Sequence, residues 1–381
     1  MKLLNTISKL SLLTRAKDWR FSFVPFVMGC VYLWLVWFDV HFSMDSVVLV
    51  GLSLLTTFGF AAFGYFINEY FDREVDKKAG KINKMELLKP AYRLILFLVI
   101  LAVVFLPWLG LPADRFSYIL IALEVSLFIL YSLPLLRFKE RPWVAGIVDA
   151  SYAYVVPLWL SFHTYALYSG KLGIPLFLPF FLSAVFLVGY RNIAIHQVDD
   201  LFKDMRAGVR TLPHVLGPVY TNHLMRWMMV GELLLFLLAF LFLGFTIPSF
   251  WLWVPFFPLL VIYRLLRMEG NLFSSYFCIE AVRHAPDVMY LILLPLFSLL
   301  LLSISDPYWT LLLLLHLLVL VPNNLLVWAY VNVVKLTAFG VRYTMGYVVN
   351  HTIYYLFRMF GVDLVKEQKS AFGYVKHKWF R

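Results

Sequence analysis

Charged residues are scarce in this chain. They make up 14% of its 381 residues, whereas hydrophobic residues make up 62%. Soluble domains carry about a quarter charged residues, and a water-soluble fold of this length could not cover so much apolar surface. A soluble globular protein is therefore excluded, and the composition predicts a membrane protein.

Cysteine is also nearly absent. The two cysteines, Cys30 and Cys278, lie near apolar stretches, and neither belongs to a CxxC or Cys/His cluster. This pattern is typical of ordinary buried side chains, so we expect no disulfide bond. A clear signal peptide is lacking too, because the basic residues of the N-terminus are spread out and no obvious small-residue cleavage site follows them.

Long apolar stretches fill most of the chain and predict an all-α, multi-spanning membrane protein. Ten of them are long enough to span roughly 30 Å of hydrocarbon. They fall at about 21–42, 46–67, 91–112, 116–134, 143–163, 174–195, 223–244, 247–263, 287–304 and 307–332. The tenth contains Pro322-Asn323-Asn324 and is either a kinked span or a re-entrant pair.

These stretches divide the chain into four parts. We expect a cytoplasmic N-terminal segment at 1–20, a transmembrane domain at 21–305, an additional hydrophobic span at 306–332 and a basic tail at 333–381. The tail mixes aromatic and basic residues, which is typical of amphipathic helices at a membrane interface.

Basic residues are distributed unequally between the two sides of the predicted membrane. With the N-terminus inside and ten spans, only Arg115 and Lys171 of 33 lysines and arginines lie outside. An excess of basic residues in cytoplasmic loops is the usual orientation signal. The net charge of +11 thus has a membrane explanation, since these residues face anionic lipid, and no nucleic-acid partner is expected.

Acidic residues recur at helical spacing where two predicted helices end on the inner side. Asn68, Asp72 and Asp76 are spaced i, i+4 and i+8, and Asp200 and Asp204 are again four apart. On a helix this spacing places successive oxygen ligands on one face, roughly 5–6 Å apart. The two motifs can therefore face each other across a common cavity.

Such motifs are suited to binding a diphosphate through magnesium. Mg²⁺ takes one or two carboxylates, and phosphate oxygens and waters complete its octahedral shell. Nearby cations would neutralise a diphosphate leaving group. The candidates are Arg73, Lys77, Lys78, Lys139, Arg206 and Arg210. The alternative interpretation is that the acids are solvated helix ends that pair with neighbouring lysines and arginines.

These residues resemble motifs of the UbiA-type family of intramembrane prenyltransferases. The segment from Asn68 to Asp76 is similar to the family's NDxxDxxxD motif, with Glu69 in place of the first Asp, and Asp200 to Asp204 is similar to its DxxxD motif. The segment from Tyr131 to Lys139 resembles the family's Tyr/Lys-containing loop. The resemblance implies a bundle of nine transmembrane helices around a lipid-accessible cavity.

The resemblance also implies roles for individual residues. Asn68, Asp72, Asp76, Asp200 and Asp204 would hold Mg²⁺ and the diphosphate, and the four aspartates are the predicted catalytic residues. The predicted substrate contacts are Asn68, Glu69, Arg73, Tyr131, Arg137, Lys139 and Arg210. Polar residues near the bundle end add Asp149, Arg191, Asn192 and His196 as candidate contacts of an acceptor or the diphosphate.

We therefore predict transfer of a prenyl group, with Mg²⁺, from a prenyl diphosphate to an aromatic or lipid acceptor. The site is expected at the cytoplasmic face, in the bacterial inner membrane. A transporter, a lipid phosphotransferase and a non-catalytic isoprenoid-binding relative are the alternatives. The phosphotransferase signature DGxxAR is missing, and transporters carry charges near the midplane rather than at one edge. The sequence leaves the acceptor and the prenyl chain length open.

Overall fold

The computed structural model describes residues 23–78, 80, 83–255 and 289–320. All regular secondary structure in these ranges is helical, which confirms the all-α prediction. The predicted N-terminal segment, residues 256–263 of the eighth apolar stretch, residues 321–332 of the additional span and the basic tail lie outside the described residues.

The α-helices of the described part are numbered here in chain order. They are α1 (Phe23–Trp37), α2 (Met44–Phe71), α3 (Arg73–Lys78), α4 (Pro90–Phe105), α5 (Arg115–Ser132), α6 (Pro142–Ala150), α7 (Val156–Ser169), α8 (Phe177–Asp199), α9 (Leu201–Ala207), α10 (Leu212–Leu216), α11 (Pro218–Thr246), α12 (Leu294–Ser305) and α13 (Thr310–Val319). A π-helical turn, Ser151–Val155, joins α6 to α7.

Six helical segments of the described part are long and apolar enough to cross a membrane. They are Met44–Phe71, Pro90–Leu109, Arg115–Ser132, Pro142–Ser169, Phe177–Asp199 and Pro218–Thr246. Shorter apolar helices lie at Phe23–Trp37, Tyr290–Ser305 and Pro307–Val319. The protein is therefore an integral membrane protein, as its composition predicts.

Close helix contacts fix the position of α2, which carries the first acidic motif. α2 packs along α4, while α8 packs along α6 and α11. Gly59 of α2 lies against the backbone of Val103 and Val104, and a β-carbon at Gly59 would come within 2.8 Å of a backbone atom there. Small residues permit such close helix approaches in membranes.

A buried ion pair joins α8 to α11. The Nε atom of Arg191 lies 2.9 Å from Oε2 of Glu232, and neither side chain is exposed. The hydroxyl of Tyr290 donates a further hydrogen bond to Oε1 of Glu232. The structure thus gives Arg191, a predicted substrate contact, a partner within the helix packing.

Replacing Arg191 with Met is expected to destabilise the protein by about 3–5 kcal/mol, because Glu232 is left as a buried charge without this cation. The double variant Arg191→Met/Glu232→Gln removes that charge and keeps an acceptor for Tyr290, so it should recover most of the loss. Thermal unfolding in detergent micelles measures both variants. A double variant no more stable than Arg191→Met contradicts the interpretation.

Candidate active site

The acidic residues of the first motif lie on one helical face, although α2 ends at Phe71, inside the motif. The amide of Asp72 donates to the carbonyl of Asn68 at 3.0 Å, and the amide of Asp76 donates to the carbonyl of Asp72 at 2.8 Å. The i to i−4 hydrogen bonds therefore continue from α2 into α3. Asn68, Asp72 and Asp76 share a face, as their spacing predicts.

Two cations from the loop between α5 and α6 converge on this face. Lys139 donates to Oδ1 of Asn68 at 2.9 Å and pairs with Oδ1 of Asp72. Arg137 Nη2 lies 3.0 Å from the same Asp72 oxygen. Ser132, at the end of α5, also donates to Asn68 Oδ1, at 3.1 Å. The loop thus delivers two positive charges to the acid at the centre of the motif.

A left-handed backbone conformation directs these cations towards α2. Arg137 has φ 40° and ψ 56°, a region in which non-glycine residues are uncommon. The ion pairs of its guanidinium with Asp72 and with Glu140, the latter at 2.6 Å, hold it there. Strain of this kind is concentrated at functional sites, so the turn is a candidate element of the active site.

The ammonium group of Lys139 lies in a partly desolvated position. Burial lowers the pKa of Lys139 from its usual value, and the charge of Asp72 offsets part of that effect. A buried cation gains from every additional negative charge that is brought near it. The site is therefore electrostatically prepared for an anionic ligand.

The loop after α3 is anchored to the first motif by Asn83. The amide nitrogen of this side chain donates to Oδ2 of Asp76 and to the carbonyl of Glu69, both at 2.8 Å. Glu69, largely buried, accepts from the backbone amide of Lys84 at 3.3 Å. Glu69 and Asn83 thus hold the loop, and Asn83 orients the carboxylate of Asp76.

Replacing Asn83 with Ala is expected to lower the free energy of unfolding by about 1–3 kcal/mol, because buried hydrogen-bonding groups lose their partner. Release of Asp76 should also raise the Mg²⁺ concentration needed for activity. Thermal unfolding and a Mg²⁺ titration test the two effects. The control Asn83→Asp keeps the cap on Met85 but sets a second carboxylate against Asp76, so it should be at least as damaging.

The second acidic motif has the same construction as the first. The amide of Asp200 donates to the carbonyl of His196 at 3.0 Å, and that of Asp204 donates to the carbonyl of Asp200 at 2.9 Å. The hydrogen-bond pattern therefore continues from α8 into α9, which ends at Gly208 with φ 71°. Asp200 and Asp204 consequently lie one turn apart on the same face.

The two motifs meet at one end of the bundle. α3 packs against α9, so the short helices that follow the two spans are direct neighbours. The phenol of Tyr131, at the end of α5, lies within electrostatic reach of both Asp72 and Asp204. The sequence predicted that the motifs can face each other, and the packing of α3 against α9 brings them to the same end of the bundle, near Tyr131.

A polar chain continues from Tyr131 into the bundle. Tyr152, in the π-helical turn, donates its hydroxyl to Oδ1 of Asp149. The rings of Tyr131 and Tyr152 pack edge to face, with centroids 5.3 Å apart. Phe128 packs on the other side of Tyr152, with ring centroids 4.3 Å apart. Asp149 and its partner Tyr152 therefore lie beside Tyr131.

Other predicted contacts lie in different surroundings. Arg73 stacks over the ring of Tyr70 at 4.4 Å and donates to its carbonyl, so it points back along α2. Asn192 donates to the hydroxyl of Tyr154 in the π-helical turn at 2.9 Å. His196 and Arg210 are exposed. Arg210 contributes, after the larger effect of burial, to lowering the pKa of His214.

The oxygen ligands present fit a magnesium ion that is shared with a substrate. Among the described residues, no three histidine, cysteine or acidic side chains form a group that could hold a metal ion alone. Mg²⁺ does not require one, because waters and phosphate oxygens usually complete its shell. The ion pairs of Asp72 engage Oδ1, which leaves Oδ2 as a ligand atom.

The fold resembles solved structures of UbiA homologues. The homologue from Archaeoglobus fulgidus bound to GPP and Mg²⁺ gives a TM-score of 0.53 at 18% identity, and the match covers 77% of this chain and 99% of that chain. The apo homologue from Aeropyrum pernix K1 gives 0.51 at 15% identity, covering 71% and 96%. At these identities the likeness establishes a shared fold.

The fold and the paired acidic helix ends define a membrane-embedded helical bundle with an acidic site at one end. The sequence model of the UbiA prenyltransferase family matches residues 22–271, so the chain belongs to this family. The digeranylgeranylglyceryl phosphate synthase of Thermococcus gammatolerans is 30% identical over 183 residues, which are 45% of this chain and 58% of that protein. The chain thus matches less than two thirds of that relative's length. The resemblance inferred from the motifs is confirmed.

Proposed function

We propose that this protein transfers a prenyl group from a prenyl diphosphate to an acceptor, with Mg²⁺, at the cytoplasmic face of the membrane. The observation that carries the proposal is the meeting of both acidic motifs at one bundle end, with Tyr131 in reach of Asp72 and Asp204. The A. fulgidus homologue, which shares the fold, was solved with GPP and Mg²⁺, and this supports the assignment of donor and metal.

The acidic residues would hold the metal, and the loop cations would act on the leaving group. Bound Mg²⁺ neutralises diphosphate charge, and its ligands would come from Asn68, Asp72, Asp76, Asp200 and Asp204. Lys139 and Arg137 pair with Asp72 in the free protein. When a diphosphate arrives, they can transfer hydrogen bonds to its oxygens. Charge-assisted bonds of this kind strengthen as the C–O bond breaks and charge accumulates on the leaving group.

The interior of the bundle is suited to the allylic group. Tyr131, Tyr152 and Phe128 form a run of aromatic rings beside the acids, where they exclude water and stabilise positive charge. An apolar cavity lies deeper, with Ser53 and Phe60 of α2 in its wall. At 1.5 Å per residue, these positions are roughly 22 and 12 Å from Asn68 along the helix. The cavity has a volume of about 30 Å³, so the helices around it would have to move apart to admit a prenyl chain.

The distribution of lysine and arginine between the loops supports a cytoplasmic location for the site. Arg137 and Lys139 lie in one of the loops that the positive-inside pattern assigns to the cytoplasm, and Lys171 lies in a loop of the opposite side. The acceptor is an aromatic or lipid precursor. The name of the T. gammatolerans relative denotes synthesis of a glyceryl phosphate lipid, and that makes a lipid alcohol the first acceptor to test.

The proposal is tested with purified protein in lipid nanodiscs. Geranylgeranyl diphosphate should bind when Mg²⁺ is present and dissociate when EDTA removes the metal. Addition of geranylgeranylglyceryl phosphate or a hydroxybenzoate should release diphosphate and form a prenylated product. Binding without release would identify a non-catalytic isoprenoid-binding protein. Absence of metal-dependent binding would overturn the proposal altogether.

A further inference from the structure

A carboxylate inside the membrane-spanning part is not used by the diphosphate chemistry. Asp149 lies near the end of α6, deep among protein atoms, yet it keeps accessible surface. An ionisable side chain within a span is energetically costly and is found facing a cavity or a partner. Asp149 has such a partner in Tyr152, and its remaining accessible surface leaves it open to a ligand.

The neighbours of Asp149 leave room for one more hydrogen-bond donor. Its contact within the described part of the chain is the hydroxyl of Tyr152, which occupies Oδ1. A carboxylate has about four acceptor positions, so Oδ2 is able to accept from a ligand. The π-helical turn that carries Tyr152 begins two residues after Asp149, and such turns are frequent at functional sites.

Asp149 and Tyr152 lie close to the predicted diphosphate site. Tyr131 contacts Tyr152 on one side and lies within reach of Asp72 and Asp204 on the other. With the diphosphate at the acids, the carbon that receives the nucleophile would lie just inside them, beside Tyr131. A ligand group hydrogen-bonded to Asp149 is thus close to the reacting carbon.

We propose that Asp149 binds and deprotonates a hydroxyl group of the acceptor, which makes the acceptor an alcohol or phenol that is prenylated on oxygen. The step is balanced. The acceptor oxygen forms a bond to C1 of the prenyl group, the C1–O bond breaks, and its electron pair leaves with the diphosphate. The acceptor proton passes to the carboxylate of Asp149. Tyr152 is a positioning residue that orients this carboxylate.

A carboxylate base suits an oxygen nucleophile better than a ring carbon. A carboxylate oxygen accepts a hydrogen bond from an O–H group before reaction and so aims the oxygen lone pair at C1. A ring C–H group offers no comparable bond, and its proton leaves only after the carbon–carbon bond has formed. General-base assistance of this kind typically contributes about 10²–10⁴-fold in rate.

The test rests on the proposed function and compares two steps of the same reaction. Asp149→Asn keeps an oxygen that accepts from Tyr152 but removes the base. Transfer from geranylgeranyl diphosphate to geranylgeranylglyceryl phosphate should fall about 100-fold or more. Mg²⁺-dependent donor binding and the slow hydrolysis of the donor to geranylgeraniol should continue. The matched control is Glu124→Gln, which removes a buried carboxyl on α5 with no described hydrogen-bond partner and should leave transfer intact.

The results for the wild-type protein test the proposed function, and the results for Asp149→Asn test the role of Asp149. If wild-type protein fails to bind the donor, the proposed function itself is wrong. If Asp149→Asn transfers at the wild-type rate, or loses donor binding as well, the role of Asp149 as acceptor base is overturned. Formation of a carbon-prenylated hydroxybenzoate, with no product from the alcohol, would overturn the acceptor class.

Discussion

Prenyl transfer should fall by roughly 10³-fold or more when Asp72 is replaced with Asn, since the change removes charge stabilisation by both metal and cations. Asp72 is the residue on which the site converges. Lys139 and Arg137 both pair with its Oδ1 atom, and the short helix that follows it packs against α9 of the second motif. Asparagine keeps the size of the side chain but cannot anchor a metal or two cations. Initial rates across a Mg²⁺ titration measure the loss.

Two companion variants make the experiment specific. Asp45→Asn changes an exposed acid in the first turn at the other end of the same helix, and it should leave both rate and Mg²⁺ requirement unchanged. Asp200→Asn should reproduce the loss seen for Asp72→Asn, because both motifs would hold one diphosphate. Normal donor binding in Asp200→Asn, beside lost binding in Asp72→Asn, would show that the motifs do not share a ligand.

The helices and the faces of the acidic motifs could be predicted because they depend on local periodicity. Apolar runs of spanning length gave the transmembrane segments. The spacing of Asn68, Asp72 and Asp76 predicted a shared face, and the structure continues the helical hydrogen bonds through the break between α2 and α3. The spacing of the acidic residues and the length of the apolar runs are properties of the sequence itself, so these features could be predicted without knowing which helices are neighbours.

The partners of individual charges could not be predicted in the same way. Arg191 looked like a substrate contact because it precedes the second motif, but its partner Glu232 is 41 residues away on another helix. Glu69 was predicted to contact the substrate, and the structure adds a hydrogen bond that its carboxylate accepts from the backbone amide of Lys84. Such contacts depend on which helices are neighbours, and local spacing carries no information about that.

Three residues of the site were not singled out by the sequence. Ser132 donates to Asn68, Asn83 orients Asp76, and Tyr152 holds Asp149. Only Tyr152 had a usable signal, since a hydroxyl three residues after an intramembrane acid lies on the same helical face. Ser132 and Asn83 act across elements, through turns whose geometry is set by tertiary packing.

Replacing Lys139 with Met should separate metal binding from catalysis. Lys139 bridges Asn68 and Asp72 in the free protein, so its positive charge opposes a metal ion that binds at Oδ2 of Asp72. Its removal should leave Mg²⁺ affinity unchanged or raise it. Turnover should nevertheless fall about 100–1000-fold, because a preorganised donor to the departing diphosphate is lost. Mg²⁺ titration of donor binding and single-turnover rates measure the two effects.

Two control variants, Lys139→Arg and Lys171→Met, test whether the effect depends on the charge and position of Lys139. Lys139→Arg restores the positive charge but spreads it over a planar group, so part of the rate should return while the electrostatic opposition to Mg²⁺ also returns. Lys171→Met removes a lysine that donates to the carbonyl of Phe38 at the opposite membrane side, and the rate should not change. A parallel loss of Mg²⁺ affinity and rate in Lys139→Met would mean that this ammonium organises the acids and does not act on the leaving group.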